Sequence, residues 1–312
     1  MMFRVASLCV SPLFFLAAAV GAQEGMTFRY EPTKEPLIYR KVHARKQTQT
    51  IMNKDVKTDM TQTEISSWTA AKVKDHLEFK SEGKSLEAKV KITGQGDYSF
   101  DSRKNDNEKG STLGAGLTPM YERLATGQFT FTVTPRGKLL KIAGYKDLLG
   151  DLFKDNPIAA QFGAGGSDEA GKLMFGDYFI DLPEKGVQQG ARWDAKDEIK
   201  LDKFGAIKGK RNFVYEGEGK VGKHKTAKIA FIDELAIDLD IDSGGAKVTG
   251  TLTLTESKGT IHFDAKNGRL VSLIHDYRIT GNLNVAAGGQ NIAIGSDQTE
   301  QVRIELLDKL PE

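Results

Sequence analysis

The stretch Ile229-Ala-Phe231-Ile-Asp233-Glu-Leu235-Ala-Ile237-Asp-Leu239-Asp-Ile241-Asp242 decides the fold. Apolar side chains fall on its odd positions, while Glu234, Asp238, Asp240 and Asp242 fall on even ones. A period of two with one oily face is that of a long, half-buried antiparallel strand. Asp233 alone breaks the apolar side, and a bulge at that residue would restore the phase.

The same pattern extends to both sides. Leu37 to Met52 and Val56 to Thr69 are rich in strand formers, Leu77 to Phe79 leads through Ser81–Lys84 into Leu86 to Ile92, and Phe129 to Val133 returns to period two. From Trp193 onward only strands are expected. Asn267-Gly268 reads as a two-residue hairpin turn with Lys266 opposite Arg269. That register places Ile261, Phe263, Ala265, Leu270 and Ile274 on the core face and His262, Asp264, Val271, Leu273 and His275 on the other.

Helical spacing is confined to the middle of the chain. Leu117, Met120 and Leu124 fit one face of a short helix with Thr118 as its cap and Pro119 in its first turn; Leu148, Leu149, Leu152 and Phe153 form a second stripe, broken at Asn156-Pro157. Arg103 to Thr112 is charged and reads as an exposed loop. The expected class is therefore mainly β with a few short helices, arranged as two similar antiparallel meander halves that form curved sheets or open half-barrels.

The halves also resemble one another. Gly83-Lys84 before Ala88-Lys-Val90 matches Gly222-Lys223 before Ala227-Lys-Ile229, and Phe131 to Leu139 matches Phe263 to Leu270, as a duplication would leave. The expected division is a signal peptide over 1–22, an N-terminal β half with inserted helices over 23–180, and an all-β half over 181–312.

Composition narrows the function. The chain has 312 residues, with Lys+Arg 44 against Asp+Glu 42. A net charge of +2 supplies no basic field for nucleic acid. Arg4, the apolar run Val5 to Val20 and the small residues Val20-Gly21-Ala22 read as an export signal cleaved before Gln23, which points to the periplasm or the extracellular space. No later run is long enough for a stable membrane span. Cys9, the single cysteine, lies inside that signal, so the mature chain has no disulfide, thiolate metal site or cysteine nucleophile.

Several constellations approach known chemistry and stop short of it. Gly217 to His224 nearly spells a phosphate-binding loop, but His224 replaces the hydroxyl and a strand follows where a helix is needed. Asp242-Ser243-Gly244 has the look of a protease nucleophile segment without its base histidine. Asp238, Asp240 and Asp242 begin a calcium loop whose glycine and glutamate positions hold Ser243 and Thr249. His262, Asp264 and His275, placed on one face by the hairpin register, are the candidate metal set, with the three aspartates as a calcium alternative. Asp233 and Glu234 point to opposite faces of a strand and do not flank one bond together. No catalytic residue and no cofactor is assigned.

The extended N-terminal strands, Phe131 to Leu139, the crossing from Leu182-Pro183 to Gly190-Ala-Arg-Trp193, and Ile261 to Leu270 together resemble an uncharacterised bacterial secreted family classed as a domain of unknown function. The resemblance covers most of the mature chain and implies no activity. At the level of fold the chain is also similar to the lipoprotein-localisation carriers, in which a curved antiparallel sheet wraps helices around an apolar cavity. That likeness implies a pocket lined by Leu117, Met120, Leu124, Leu149 and Phe153.

Three readings follow. The first is an exported, non-enzymatic protein that binds an apolar small molecule or lipid, or a cell-envelope protein. The second is a structural or interaction module without a cavity, and the third a metal-dependent or carboxylate hydrolase. Intact mass of the exported protein is expected to match a chain beginning at Gln23; a mass that begins at Met1 contradicts the export reading.

Overall fold

The computed structural model describes residues 25–104, 111–155, 167–200, 205–243 and 246–311. The expected leader over 1–22 and the helix break at Asn156-Pro157 lie outside them. The described strands form one curved antiparallel sheet that does not close into a barrel. In chain order they are β1 (Leu37–Ile51), β2 (Lys54–Val73), β3 (His76–Ile92), β4 (Gly96–Asp101), β5 (Gln128–Val133) and β6 (Leu139–Ala143), then β7 (Arg192–Lys200), β8 (Gly205–Val221), β9 (His224–Ser243), β10 (Ala246–Asp264), β11 (Arg269–Ala287) and β12 (Gln290–Leu307). Their order across the sheet is β6-β5-β3-β2-β1-β12-β11-β10-β9-β8-β7, with β4 beside β3. The first and last strands meet at its centre, from Ile38 opposite Leu307 to Ile51 opposite Ile294.

Between these meanders lie α1 (Thr112–Ala125), α2 (Tyr145–Asp155), α3 (Asp168–Phe175) and a single 3-10 turn over Gly176–Tyr178. Helix α1 begins well before the expected cap. Ser111 Oγ accepts the Gly114 N–H at 2.9 Å, and Pro119 lies inside the helix. Gly114 and Gly116 hide the first turns from a propensity reading, but Leu113, Leu117, Met120 and Tyr121 bury one face against β3 and β4 and outweigh that weakness. Thr118 caps nothing; its Oγ1 lies 2.8 Å from Tyr98 Oη in the core.

The core gathers at one end of the sheet, here called the upper end. Trp68 stacks on Phe131 at 4.9 Å between centroids and meets Tyr178 at 4.5 Å, with Phe175, Phe179 and Tyr39 around it. The segment before β1 laces over this end. Tyr30 N–H donates to Pro135 O and Glu31 N–H to Gly268 O, while Phe28 and Tyr30 drive their rings into the core. The hairpins holding Gly137 and Gly268, matched in sequence, thus flank one segment. The Gly83 and Gly222 match has no such counterpart, because Gly83 lies within β3 and Gly222 in the β8–β9 turn.

The Asn267-Gly268 hairpin corrects the expected register. Asp264 pairs with Arg269 and Phe263 with Leu270 across a four-residue loop, in which Asp264 accepts the Asn267 N–H at 3.0 Å and its Nδ2 at 2.6 Å. An irregularity between His262 and Phe263 then leaves Val271 without a partner. The phase of β11 shifts there, so Leu273 and His275 turn inward and Ile274 turns out to solvent. An aspartate side chain completing the turn has outweighed the two-residue preference of Asn-Gly.

The expected bulge at Asp233 is likewise displaced. β9 runs on through Asp233 opposite Arg211, and the extra residue sits in the neighbouring strand: Leu254 pairs with Ile279 but Glu256 with Arg278, leaving Thr255 over. Just beyond it Gly259 makes room for the Phe231 ring, since a Cβ there would fall 2.0 Å from Phe231 Cζ. Gly259→Ala is expected to destabilise the fold by about 1–3 kcal/mol through this overpacking, measured by urea unfolding. Phe231→Leu in the same chain should recover part of the loss.

Candidate functional site

Below the aromatic core the inner face of the sheet carries an ionic belt. Arg45 of β1, Glu300 of β12, Tyr277 of β11, Ser257 of β10, Asp233 of β9 and Arg211 of β8 occupy neighbouring register positions across six strands. Charges on an inner sheet face persist only when paired. Arg211 makes a two-pronged pair with Asp233, Nε to Oδ1 at 2.5 Å and Nη2 to Oδ2 at 2.7 Å, and its guanidinium lies over the Phe231 ring. Asp177, on the 3-10 turn, approaches Arg211 Nη2 at 3.7 Å.

The other end of the belt is anchored on Glu300. His43 Nε2 lies 2.5 Å from Glu300 Oε2, Tyr277 Oη donates to the same oxygen at 2.5 Å, and Gln298 Nε2 donates to Oε1. Burial alone would raise the Glu300 carboxyl, but His43, Tyr277 and Arg45 together hold it down at about 2. Burial would likewise raise Asp177, and the charges of Lys41, Arg211, His275 and His43 keep it below the usual range. Glu64, opposite Lys41, is pushed up by burial, which Lys41 and Ser66 only partly offset.

Ser257, His275 and Asp233 meet in this belt without forming a nucleophilic relay. His275 Nε2 lies 3.2 Å from Ser257 Oγ and 3.4 Å from Asp233 Oδ2, so serine and carboxylate share one nitrogen. A relay needs the carboxylate on the far nitrogen, and Nδ1 has no partner among the described residues. Ser257 Oγ also accepts the Asp233 N–H at 3.0 Å. Burial keeps the His275 pKa below its ordinary value, partly opposed by Asp177.

Beyond the belt the inner face becomes apolar again. Leu235, Ile237, Leu239 and Ile241 of β9, Val248, Leu252 and Leu254 of β10, Leu283 and Val285 of β11, and Ile292 and Ile294 of β12 are all half-buried, while their outward neighbours are polar or small. Among the described residues the helices pack on β3, β4, β6 and one another rather than on this part of the sheet. A trough results, with the belt at its upper end and the hairpin tips at its lower end. Its side opens into a cavity of about 480 Å³ of mixed lining: Leu139 and Leu140 of β6, Leu173 of α3, Ile199 of β7, Ile207 of β8 and Leu235 of β9 stand among charged side chains such as Glu169, Lys172, Glu198, Lys210, Arg211 and Asp233. The two edge strands of the curled sheet thus face one another across it.

The residues singled out from sequence are distributed differently. His262, bonded to Thr226 Oγ1 at 3.0 Å, and Asp264, committed to the Asn267 turn, lie on the outer face, whereas His275 lies on the inner one. The three do not converge, and no group of three metal-binding side chains occurs among the described residues. Asp238, Asp240 and Asp242 stand along the outer face of β9; Asp238 accepts from Thr251 and Asp240 pairs with Lys247 at 3.2 Å. Leu117, Met120, Leu124 and Leu149 are buried in the hydrophobic core, while the Phe153 side chain lies outside the described residues. The belt was missed because its members are scattered along the chain. Its one signal was Asp233 on an otherwise apolar face.

Comparison with known proteins follows from this geometry. The model of the DUF6263 family, a family of unknown function, matches residues 74–270. The chain belongs to this family. No curated protein is recognisably similar in sequence. Among solved structures, lipovitellin, described for its lipid–protein interactions, matches 90% of the chain at 12% identity and a TM-score of 0.43. The chain spans about a quarter of lipovitellin's length, 26%. The β domain of the Bordetella autotransporter BrkA matches 88% of the chain and 100% of its own at 10% identity and a TM-score of 0.25. A domain assigned to outer-membrane lipoprotein sorting in Vibrio parahaemolyticus matches 88% of the chain and 87% of its own at 6% identity and a TM-score of 0.17. At these scores the likenesses carry no functional weight. No helix among the described residues of this DUF6263 member is long and apolar enough to cross a membrane.

Asp233→Ala should cost about 3–5 kcal/mol by stranding Arg211, and the double change Arg211→Met with Asp233→Leu should recover most of it in urea unfolding. Glu300 carries the acid dependence. Because its folded value, about 2, lies below its ordinary 4.5, its contribution is full above about pH 4.5 and is lost as pH falls toward 2. Glu300→Gln is expected to flatten stability over that window while lowering it at neutral pH.

Proposed function

We propose that this DUF6263 member is an exported, non-enzymatic protein that holds an apolar ligand, a lipid or another amphiphile, on the inner face of its sheet below the ionic belt. The observation that carries the reading is the half-buried apolar face of β9–β12, which none of the described helices packs against closely and which adjoins the cavity between the sheet edges. A face of this kind left to water is the usual mark of a binding surface. Covering about 300 Å² of it would supply roughly 7 kcal/mol at about 25 cal/mol per Å², before the costs of association. The Val5 to Ala22 leader supports the export part of the reading.

The belt suits this role. A ligand chain lying against Leu252 and Leu283 ends at Asp233, Tyr277 and Glu300, whose charges and hydroxyl resist apolar cover. Binding needs no chemistry, in keeping with the Ser257–His275–Asp233 geometry.

Native mass spectrometry of the chain purified from its own envelope, followed by organic extraction, is expected to show a stoichiometric apolar adduct. Leu252→Trp and Leu283→Trp should reduce it severalfold with circular dichroism unchanged. A clean apo mass, together with failure to bind an environment-sensitive fatty-acid probe, contradicts the proposal.

A further inference from the structure

Below the ionic belt the inner face is divided lengthwise. In the three register rows that follow it, the inward positions of β8–β11 hold only leucine, isoleucine and glycine, from Leu235 and Leu254 to Leu239 and Leu283. The adjoining strands β1 and β12 differ. Gln47 stands opposite Gln298 and Gln49 opposite Ser296, before Ile51 and Ile294 restore an apolar row. These residues continue the period of two from Arg45 and Glu300 and therefore share their face. One wall of the trough is thus apolar, and the other carries three amides and a hydroxyl.

This polar wall differs from a merely solvated one. On the outward face of the same rows the chain places Lys46, Asp297, Arg278, Lys208 and Asp238, the residues that open solvent usually draws. The inward wall carries no charge; its glutamines are half-buried and Ser296 is only 8% exposed. Gln298 commits its Nε2 to Glu300, whereas Gln47, Gln49 and Ser296 make no side-chain hydrogen bond among the described residues. Their unspent capacity is large. Each glutamine offers two N–H donors and a carbonyl, and serine a donor and an acceptor.

The belt above settles the charge of what can lie here. Arg211 already holds Asp233, and Glu300 is held by His43, Tyr277 and the charge of Arg45. An ionised head would leave water and meet no free counter-charge. A pure hydrocarbon would cover the amides and leave them unpaired. We infer that the ligand is a lipid with an uncharged, hydroxyl-bearing head, of the acylglycerol or glycosylated class, whose head lies on Gln47, Gln49, Ser296 and Gln298 while its chain lies on β9–β11. The inference rests on the ligand reading above and adds its specificity.

The test is isothermal titration calorimetry of the exported chain with soluble amphiphiles that share one chain length: a monoacylglycerol, an alkyl glucoside, the fatty-acid anion and an alkyl trimethylammonium. At least one of the two uncharged probes is expected to bind about tenfold tighter than either ionised one, as two further hydrogen bonds would give, and the tighter of the two assigns the head. Gln47→Leu with Gln49→Leu should abolish that preference and leave binding of the ionised probes unchanged. Ser296→Ala, a milder change, should lower the uncharged affinity about threefold. Thr48→Val, between the two glutamines on the outward face, should alter nothing. Equal or tighter binding of an ionised probe overturns the inference and leaves the ligand reading standing. A preference for the uncharged head that survives in both the glutamine and the serine variants overturns its placement on this wall. Failure of every probe to bind overturns both readings.

Discussion

A sheet in which eight strands run 15 to 20 residues has more inner face than the three described helices can cover. At about 3.3 Å per residue such strands are roughly 50–65 Å long, while the longest described helix, at 14 residues, reaches about 21 Å at 1.5 Å per residue. The aromatic cluster around Trp68, the helices and the segment bearing Phe28 and Tyr30 fill the upper end. Among the described residues nothing of comparable bulk lies below it under β9–β12. Closing the sheet would have solved this, but β6 and β7 stop with a cavity between them instead.

The ionic belt marks where the filled region ends. Arg211 with Asp233, and His43 and Tyr277 with Glu300, joined through Ser257 of β10 and His275, tie six strands together at one level by ion pairs and hydrogen bonds on a face that is otherwise apolar. Each pair is weak evidence of net stability, because desolvation offsets much of the attraction. Their effect is on specificity of form. A belt that tolerates neither apolar cover nor a missing partner keeps the upper core and the lower trough distinct, and it restricts which register of β8–β12 can fold.

Much of this was legible in the residues. The alternation from Ile229 to Ile241 predicts β9 and its faces, and the scarcity of helical spacing predicts a mainly β fold. What was misread turned on single-residue phase shifts. Val271, skipped in the pairing with β10, and Thr255, inserted in β10, each invert inward and outward along their strand, and the first of these turns Leu273 and His275 to the side opposite the one that hairpin spacing predicts. Local spacing carries no information on which strand of a pair will bulge. The expected pocket failed for another reason: Leu117, Met120 and Leu149 are apolar because they fill a core, and sequence does not separate lining from filling. The two partners of Asp233, Arg211 and His275, were invisible until the register was known.

On the proposed reading the lower inner face is open to solvent and takes an apolar ligand. The mature chain expected after cleavage has no thiol, so Leu283→Cys would carry its only one, and its rate of reaction with a small water-soluble alkylating reagent reports cover at that position directly. Rapid labelling of Leu283→Cys is expected in the ligand-free chain, with slow labelling of Leu273→Cys above the belt and protection of Leu283→Cys alone when a fatty acid is added. Equal protection at both positions in the ligand-free chain would mean that the face is already covered, and would contradict it.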